Sequence, residues 1–373
     1  MMLVAQKEVV PNANKLAPQA VPQESSVRVW LKSGGSRPIL DTPEEQGSGR
    51  AEDTPRKEGS MLRQDIRLKE IDGVEITTVV DNVIDLLMAG TEVARRLEIR
   101  PDSFEKPLPV AEHGFAALIA TWRDGRIGQV LLDTGSSETG ILHNLDAMSL
   151  DPSGLEAIVI SHGHADHTLG LTRLLSRLAS RQVRVVAHPD AFLDRRLVTP
   201  KVTVTMPKLS RDLLRGGSVE LIETADSTLL VDGTLLVSGE IARTSGFEVG
   251  FPPNQSWRDG KWQPDPLVHD DQCVAVNVRG KGLVIVSGCG HAGIVNSVRH
   301  VQAITGVEKV HAVIGGFHLQ NPRLIAPTVA AFKSIGPRYV VPTHCTGWAA
   351  IHEFARVMPE SFVANSVGTT LVF

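Results

Sequence analysis

The segment that most constrains this chain is Ser161 to His167, where His162, His164, Asp166 and His167 follow directly on the apolar residues Leu155, Ala157, Ile158, Val159 and Ile160. Three imidazoles and a carboxylate are costly to pack together in a cleft. A divalent ion offsets that cost, because near neutral pH imidazole is a neutral nitrogen ligand and carboxylate a hard oxygen ligand. If the apolar run is a buried strand and the chain turns at Gly163, His162 and His164 point from the strand-end loop toward one ion. Asp166 and His167, one turn further on at a helix start, reach a second ion beside it. A single structural zinc site fits less well, since such sites favour cysteine and none lies nearby in the sequence.

The same grammar of strand, loop and helix recurs along the chain. Residues 74–80 read as a strand that delivers Asp81 and Asn82 to its end, and 115–121 and 127–132 flank the hairpin signal Asp124, Gly125 before reaching Asp133. After the histidine cluster, Leu169, Leu171, Leu174, Leu175 and Leu178 form a helical stripe that starts near Asp166, and residues 183–187 read as a strand ending at His188. Apolar runs at 283–286, 310–314 and 339–341 lead into His291, His318 and His344, each behind a glycine or proline turn and each with a helix expected after it. Chemistry collects at strand ends in open α/β sheets, so three further histidines in equivalent local positions support one another.

Other stretches read differently. Residues 83–114 predict a short helix and then a peripheral excursion, and 200–240 predict short strands of a mixed or antiparallel sheet. The stretch 241–269 reads as a long irregular segment rich in aromatic residues, and a loop of that length needs a reason such as covering a substrate. Pro11, Pro18, Pro22, Pro38, Pro43 and Pro55, set among polar residues, mark 1–60 as a flexible tail or linker ahead of one domain over 61–373.

A chain of 373 residues with 42% hydrophobic content can build a large core, and its formal net charge of -4 gives no general attraction for extended nucleic acid or an anionic membrane. No apolar run approaches the ~20 residues of a membrane span. Cys273, Cys289 and Cys345 are too few for a disulfide scaffold and fit a reducing, cytoplasmic setting. The glycines at 288, 290, 315 and 316 lack the spacing of a dinucleotide fingerprint, and no iron-sulfur cysteine spacing is present.

Together these pieces resemble the metallo-β-lactamase superfamily, whose metal signature is a His-x-His-x-Asp-His run after a strand. Residues 162–167 match it in full, and Asp133, Thr134 and Gly135 fit the upstream aspartate-glycine motif. The likeness is greater to the branch of metal-dependent hydrolases similar to 7,8-dihydropterin-6-methyl-4-(β-D-ribofuranosyl)aminobenzene-5'-phosphate synthase. Its pieces lie at 80–82, 112–114, 161–167, 187–189, 239–241, 270–272, 288–293, 315–319 and 342–347. The resemblance implies an α/β fold of the four-layer αββα sandwich type, with two mixed sheets face to face and helices outside. It also implies two divalent ions, zinc first with manganese or iron as alternatives, on His162, His164, Asp166, His167, His291 and His344. Asp133 is implied to brace the metal loop. The usual bridging aspartate is replaced here by Gly288, Cys289, Gly290 and His291, so the bridge falls to Cys289, His291, His318, Asp270 or Asp271.

The function expected is metal-dependent hydrolysis, or a related transfer, on a phosphate-bearing, pterin-like small molecule that is itself anionic. Asp166 would take the proton of a metal-activated water, with His318 or His188 protonating a leaving group. Asp81, Asn82 and Asp271 would support the site, and Arg243 would contact a phosphate. Phe247, Phe251, Trp257 and Trp262, concentrated in 241–269, would form a wall for a flat ring, with core packing as their alternative. Phosphodiester, lactone and thioester hydrolysis are the competing chemistries, and a metal-stabilised small-molecule sensor is the alternative outside enzymes.

Overall fold

The computed structural model describes residues 66–373 apart from 100, 104, 216 and 217, and the expected tail over 1–60 lies outside the described residues. Two mixed sheets organise the described chain. One runs in the order Val219–Glu223, Val183–Ala187, Leu155–Val159, Arg126–Leu132, Ala116–Arg123, Gly73–Val80, Thr370–Val372 and Ala94–Arg95. The other runs Thr228–Leu230, Leu235–Val237, Cys273–Val278, Gly282–Ser287, Val310–Gly316 and Tyr339–Thr343, with Glu70–Ile71 also paired to Cys273–Val278.

Side-chain alternation builds the layers. Val284 and Val286 point into the apolar core between the sheets with Val274, Val276, Ile76, Ile119, Val130 and Val159. Their neighbours Leu283 and Ile285 point the other way, against Val298, Val301, Phe332 and Phe354 of the helices Ile294–Thr305, Pro322–Ile335 and Trp348–Val357. On the outer face of the first sheet, Leu131, Ile158 and Val185 pack on Ile141, Leu145, Leu171 and Leu174 of the helices Gly140–Ala147 and Leu171–Arg177. Central strands buried on both faces read as continuous apolar runs, and each such side chain contributes roughly 1.5–3 kcal/mol on burial. The result is the αββα layering expected from the sequence.

The hairpin at Asp124 and Gly125 forms as expected, with both residues at positive φ (50° and 77°), the backbone a two-residue turn requires. Two expectations change. Residues 83–114 form turns and the two-residue strand Ala94–Arg95 among the described residues, not a helix. Val83 and Leu87 are exposed, so the start of this stretch buries no apolar face that would stabilise a helix. The stretch 241–269 is not wholly irregular either: Asn254–Arg258 and Lys261–Pro264 pair antiparallel and join Arg195–Val198 and Thr203–Thr205 in a small third sheet.

Candidate metal centre

The strand Leu155–Val159 ends beside Asp133, which terminates the neighbouring strand Arg126–Leu132 in the left-handed region (φ 60°). Asp133 is fully buried and its carboxylate fixes the next loop at both ends: it accepts from Ser161 N and Oγ, each at 2.7 Å, and from His167 Nδ1 at 2.7 Å. Thr134 adds bonds from its N (2.8 Å) and Oγ1 (3.0 Å) to the His167 carbonyl. Across the site, a β-carbon at Gly288 would collide with Ser161 and Asp133, so only glycine lets that strand end approach.

Around this brace the structure brings two groups of donors together. His162, His164 and His291 form one, with ring centroids 4.5 to 4.8 Å apart. Asp166, His167, Cys289 and His344 form the other, with Asp166 Oδ2 at 3.7 Å from His167 Nε2 and 3.5 Å from His344 Nε2. The two are adjacent, since the His162 and His167 rings lie 4.3 Å apart. Donors about 2 Å from a tetrahedral ion lie about 3.4 Å from one another, close to the separations in the second group.

The protein also decides which nitrogen each imidazole offers. His162 Nδ1 is held by Ser161 Oγ (2.9 Å), His167 Nδ1 by Asp133, His344 Nδ1 by Asn82 Oδ1 (3.2 Å), and His164 Nε2 by Asn254 Oδ1 (3.3 Å). Each ring therefore keeps its other nitrogen for the centre, the arrangement that outer hydrogen bonds impose on metal-ligating histidines. His162 Nε2, His344 Nε2 and both nitrogens of His291 are buried without a hydrogen-bond partner. Such groups are costly in a protein interior, and an ion satisfies them.

Electrostatics divide the donors. Burial first, then neighbouring imidazoles, push His162 and His291 well below the usual histidine range, and burial takes His164 down to about 4, so all three present neutral nitrogens near pH 7. For His167 burial acts in the same direction, but Asp133 and Asp166 outweigh it and raise the ring to about 9. Burial would raise the Asp166 carboxyl, yet His167 and His344 hold it well below the carboxylate range.

The supporting residues sort clearly. Asp81 accepts from Asn82 N (2.7 Å), His344 N (3.1 Å), Asn365 Nδ2 (2.9 Å) and Thr343 Oγ1, while Asn82 Nδ2 donates to the His344 carbonyl (3.1 Å). This pair clamps His344 by backbone and ring. Asp271 accepts from Ala292 N (2.7 Å), beside His291, and burial pushes its carboxyl up to about 7. His318 lies 4.2 Å from the His291 ring, and burial takes it down to about 4, so near neutral pH it offers a neutral N–H rather than an imidazolium.

Three expected contacts are placed elsewhere. His188 is buried, with Nδ1 accepting from Asp190 N (3.0 Å) and Nε2 facing Glu240 Oε2 at 3.9 Å; among the described residues its ring meets none of the clustered histidines. Arg243 donates to the carbonyls of Leu267 and His291, which ties down the loop behind His291 and leaves the guanidinium less free for a phosphate. Trp257 and Trp262 pack edge to face across their hairpin, with Arg196 over Trp262. Of the aromatic side chains in 241–269, Phe251 meets the histidines, stacked on His291 at 5.4 Å and edge-on to His318 at 4.6 Å.

Sequence reasoning assigned no role to Arg195 or Glu112, which the structure puts here. Arg195 pairs with Asp270, whose other oxygen accepts from Gly163 N (2.7 Å), the amide between His162 and His164. Glu112 accepts from Ser136 N (2.9 Å) and Ser137 N (3.2 Å), fixing the turn after Asp133. His113, with its side chain 70% exposed, lies 3.8 Å from Asp166 Oδ2. The sequence signal for the last two was their place in the 112–114 piece.

A family model described as the metallo-beta-lactamase superfamily matches residues 123–296. A 7,8-dihydropterin-6-methyl-4-(beta-D-ribofuranosyl)-aminobenzene-5'-phosphate synthase from Methanocaldococcus jannaschii is 30% identical over 271 residues, covering 70% of this chain and 90% of its own. An uncharacterized protein of the same organism is 30% identical over 260 residues, covering 69% and 92%. Among solved structures, Tm1679, a metal-dependent hydrolase of the beta-lactamase superfamily, superposes with a TM-score of 0.62 at 24% identity over 80% of this chain and 98% of its own, a likeness of fold.

Proposed function

The chain belongs to the metallo-β-lactamase superfamily and is a metal-dependent hydrolase of that fold, and from this premise we propose that it acts on a phosphate-bearing, pterin-like small molecule by hydrolysis or a related transfer. The observation that carries the metal-dependent part is the set of buried imidazole nitrogens left without partners while their ring-mates are held by Ser161, Asp133, Asn82 and Asn254. The substrate class is supported by the likeness to the M. jannaschii dihydropterin phosphate synthase and by Phe251, which gives a flat ring an apolar face next to the histidines.

In this reading His162, His164 and His291 hold one ion, and Asp166, His167 and His344 hold a second. Bound divalent ions supply Lewis acidity for a phosphoryl or carbonyl oxygen and lower the pKa of water toward neutrality. Asp166 Oδ2 accepts a proton and passes it toward solvent by way of His113, 3.8 Å away. His318 donates a neutral N–H to an oxygen of the substrate, and Phe251 keeps water from that side. Zinc is the ion that this mixture of nitrogen and oxygen donors suits first, with manganese and iron as alternatives. Among the described residues no helix is long and apolar enough to cross a membrane.

Elemental analysis of the protein purified without added metal, followed by turnover assays with a phosphomonoester of a reduced pterin, a phosphodiester, a lactone and a thioester, tests the proposal. Two ions and metal-dependent turnover of the pterin phosphate are expected. Faster turnover of any other member of the panel would replace the substrate class, and metal binding without turnover of any of them would turn the reading to a sensor.

A further inference from the structure

We propose that His188 and Glu240 form a recognition site for a cyclic amide edge, a ring N–H beside a ring carbonyl, and that this site selects the pterin-like ring of the substrate. The site deepens the substrate reading above and rests on it. His188 Nδ1 accepts from Asp190 N at 3.0 Å, so the hydrogen of the neutral ring sits on Nε2. Burial lowers this ring below the usual histidine range, which keeps it neutral near pH 7. Its Nε2 is buried without a hydrogen-bond partner among the described residues, in a side chain only 5% exposed. Opposite that N–H, at 3.9 Å, stands Glu240 Oε2. The second oxygen, Oε1, accepts from His269 Nδ1 at 2.7 Å, which fixes the carboxylate with Oε2 toward His188.

A separation of 3.9 Å is too long for these two atoms to bond each other, and a buried N–H left unpaired is costly. A donor and an acceptor side by side are the complement of a cyclic amide. Its N–H gives a charge-assisted bond to Glu240 Oε2, and its carbonyl accepts from His188 Nε2. The Glu240 side chain is 46% exposed and forms the outer wall, so a ligand enters from its side. The fold sets this pair beside the metal loop. His188 follows the strand Val183–Ala187, which runs parallel to Leu155–Val159, and Glu240 follows Leu235–Val237, whose last residue pairs with Val274 shortly after Asp270. The turn after His188 packs on Gly163, where a β-carbon would strike the Ala191 carbonyl. Arg195, paired with Asp270, also donates to the Asp190 carbonyl at 3.0 Å and ties that turn to the loop between His162 and His164. Polar groups held in this way reject a ligand that lacks their partners far more strongly than an apolar pocket does.

Titration of pterin into the full chain, followed by the fluorescence of the pterin itself, tests this without turnover, since pterin carries no phosphate. The comparison compound is the O-methylated pterin, which keeps the flat ring but has lost both the ring N–H and the carbonyl. Pterin should bind roughly tenfold to hundredfold more tightly than the methyl ether, the range for hydrogen bonds to a charged group. Glu240→Leu and His188→Phe should each cut that ratio by about tenfold while binding of the methyl ether stays near the parent value. If the buried His188→Phe does not fold, Glu240→Leu carries the test, because its side chain is half exposed. A ratio that survives in Glu240→Leu, or a parallel loss of both compounds in the variants, would overturn the site and leave the pterin reading standing. Equal binding of the two compounds by the parent chain would do the same, and binding of neither would remove the pterin reading together with this one.

Discussion

Arg195 and Asp270 face each other at 2.5 Å with side chains 1% and 0% exposed, and the same Asp270 carboxylate receives the Gly163 amide between two of the clustered histidines. Burial alone would raise the Asp270 carboxyl, but the Arg195 guanidinium and the Gly163 N–H hold it below its usual value. The pair therefore shapes the first group of donors from behind. Removing one partner of a buried ion pair leaves an uncompensated charge and costs about 3–5 kcal/mol, whereas replacing both with apolar groups is often neutral. Arg195→Met should lose about that much in urea denaturation of the metal-free protein, and Arg195→Met with Asp270→Leu should recover most of it. A loss below about 1 kcal/mol in the single variant would deny the pair its structural role.

Asp133 touches three groups of the metal loop and contributes no atom to either donor set. Asp133→Ala should keep every proposed ligand while weakening metal affinity by about 10–100-fold, the usual effect of losing an outer hydrogen bond to a ligating histidine. A chelator competition titration on folded protein measures this. Unchanged affinity would assign Asp133 to the fold alone.

Much of this centre was legible because strand periodicity and histidine spacing are local. The runs ending at His162, His291, His318 and His344 are short, apolar and followed by turn residues, and these four histidines meet in space or lie next to the cluster. What stayed hidden depends on distant partners. Nothing near Arg195 announces that it will be fully buried, since charged side chains rarely are and its partner lies 75 residues away. Asn254 was likewise hidden, because a short edge hairpin has no apolar periodicity strong enough to distinguish it from a loop. The helix expected within 83–114 fails for a related reason: Val83 and Leu87 are exposed, while the buried Val93 and Ala94 are taken up at the edge of the first sheet.

His164→Ala should abolish turnover far more completely than Cys345→Ala. The imidazole faces the first donor group with its Nδ1 free, whereas the Cys345 thiol is spent on the Cys289 carbonyl. Initial rates at saturating substrate, read with metal content on folded proteins, give the ordering. Full activity in His164→Ala would remove it from the ligand set, and an inactive, metal-loaded Cys345→Ala would bring the thiol into the chemistry.

The buried Asp271 carboxyl predicts a pH signature in the metal-free protein. Burial raises it to about 7, and the Ala292 N–H offsets only part of that. Unfolded, an aspartate titrates at about 3.9, so the folded state binds this proton more tightly. Its stabilising contribution is full below about pH 3.9 and is lost as pH rises through about 7, with a slope of up to about 1.4 kcal/mol per pH unit between the two. Stability relative to Asp271→Asn should therefore fall over that window and level off above it. A difference that stays flat from about pH 4 to 8 would show that Asp271 titrates alike in both states.

Phe251, rather than the tryptophan pair, should govern binding of a flat substrate. Its ring stacks on His291 and meets His318, whereas Trp257 is 42% exposed and meets Trp262 on an edge hairpin. Aromatic contacts contribute about 0.5–1.5 kcal/mol beyond the area they bury, so Phe251→Ala should raise KM for a pterin-like substrate by roughly threefold to tenfold or more, with metal content unchanged. The same readings for Trp257→Ala should stay near the parent protein. If Trp257→Ala raises KM and Phe251→Ala does not, the hairpin closes over substrate during turnover and the wall belongs to the tryptophans.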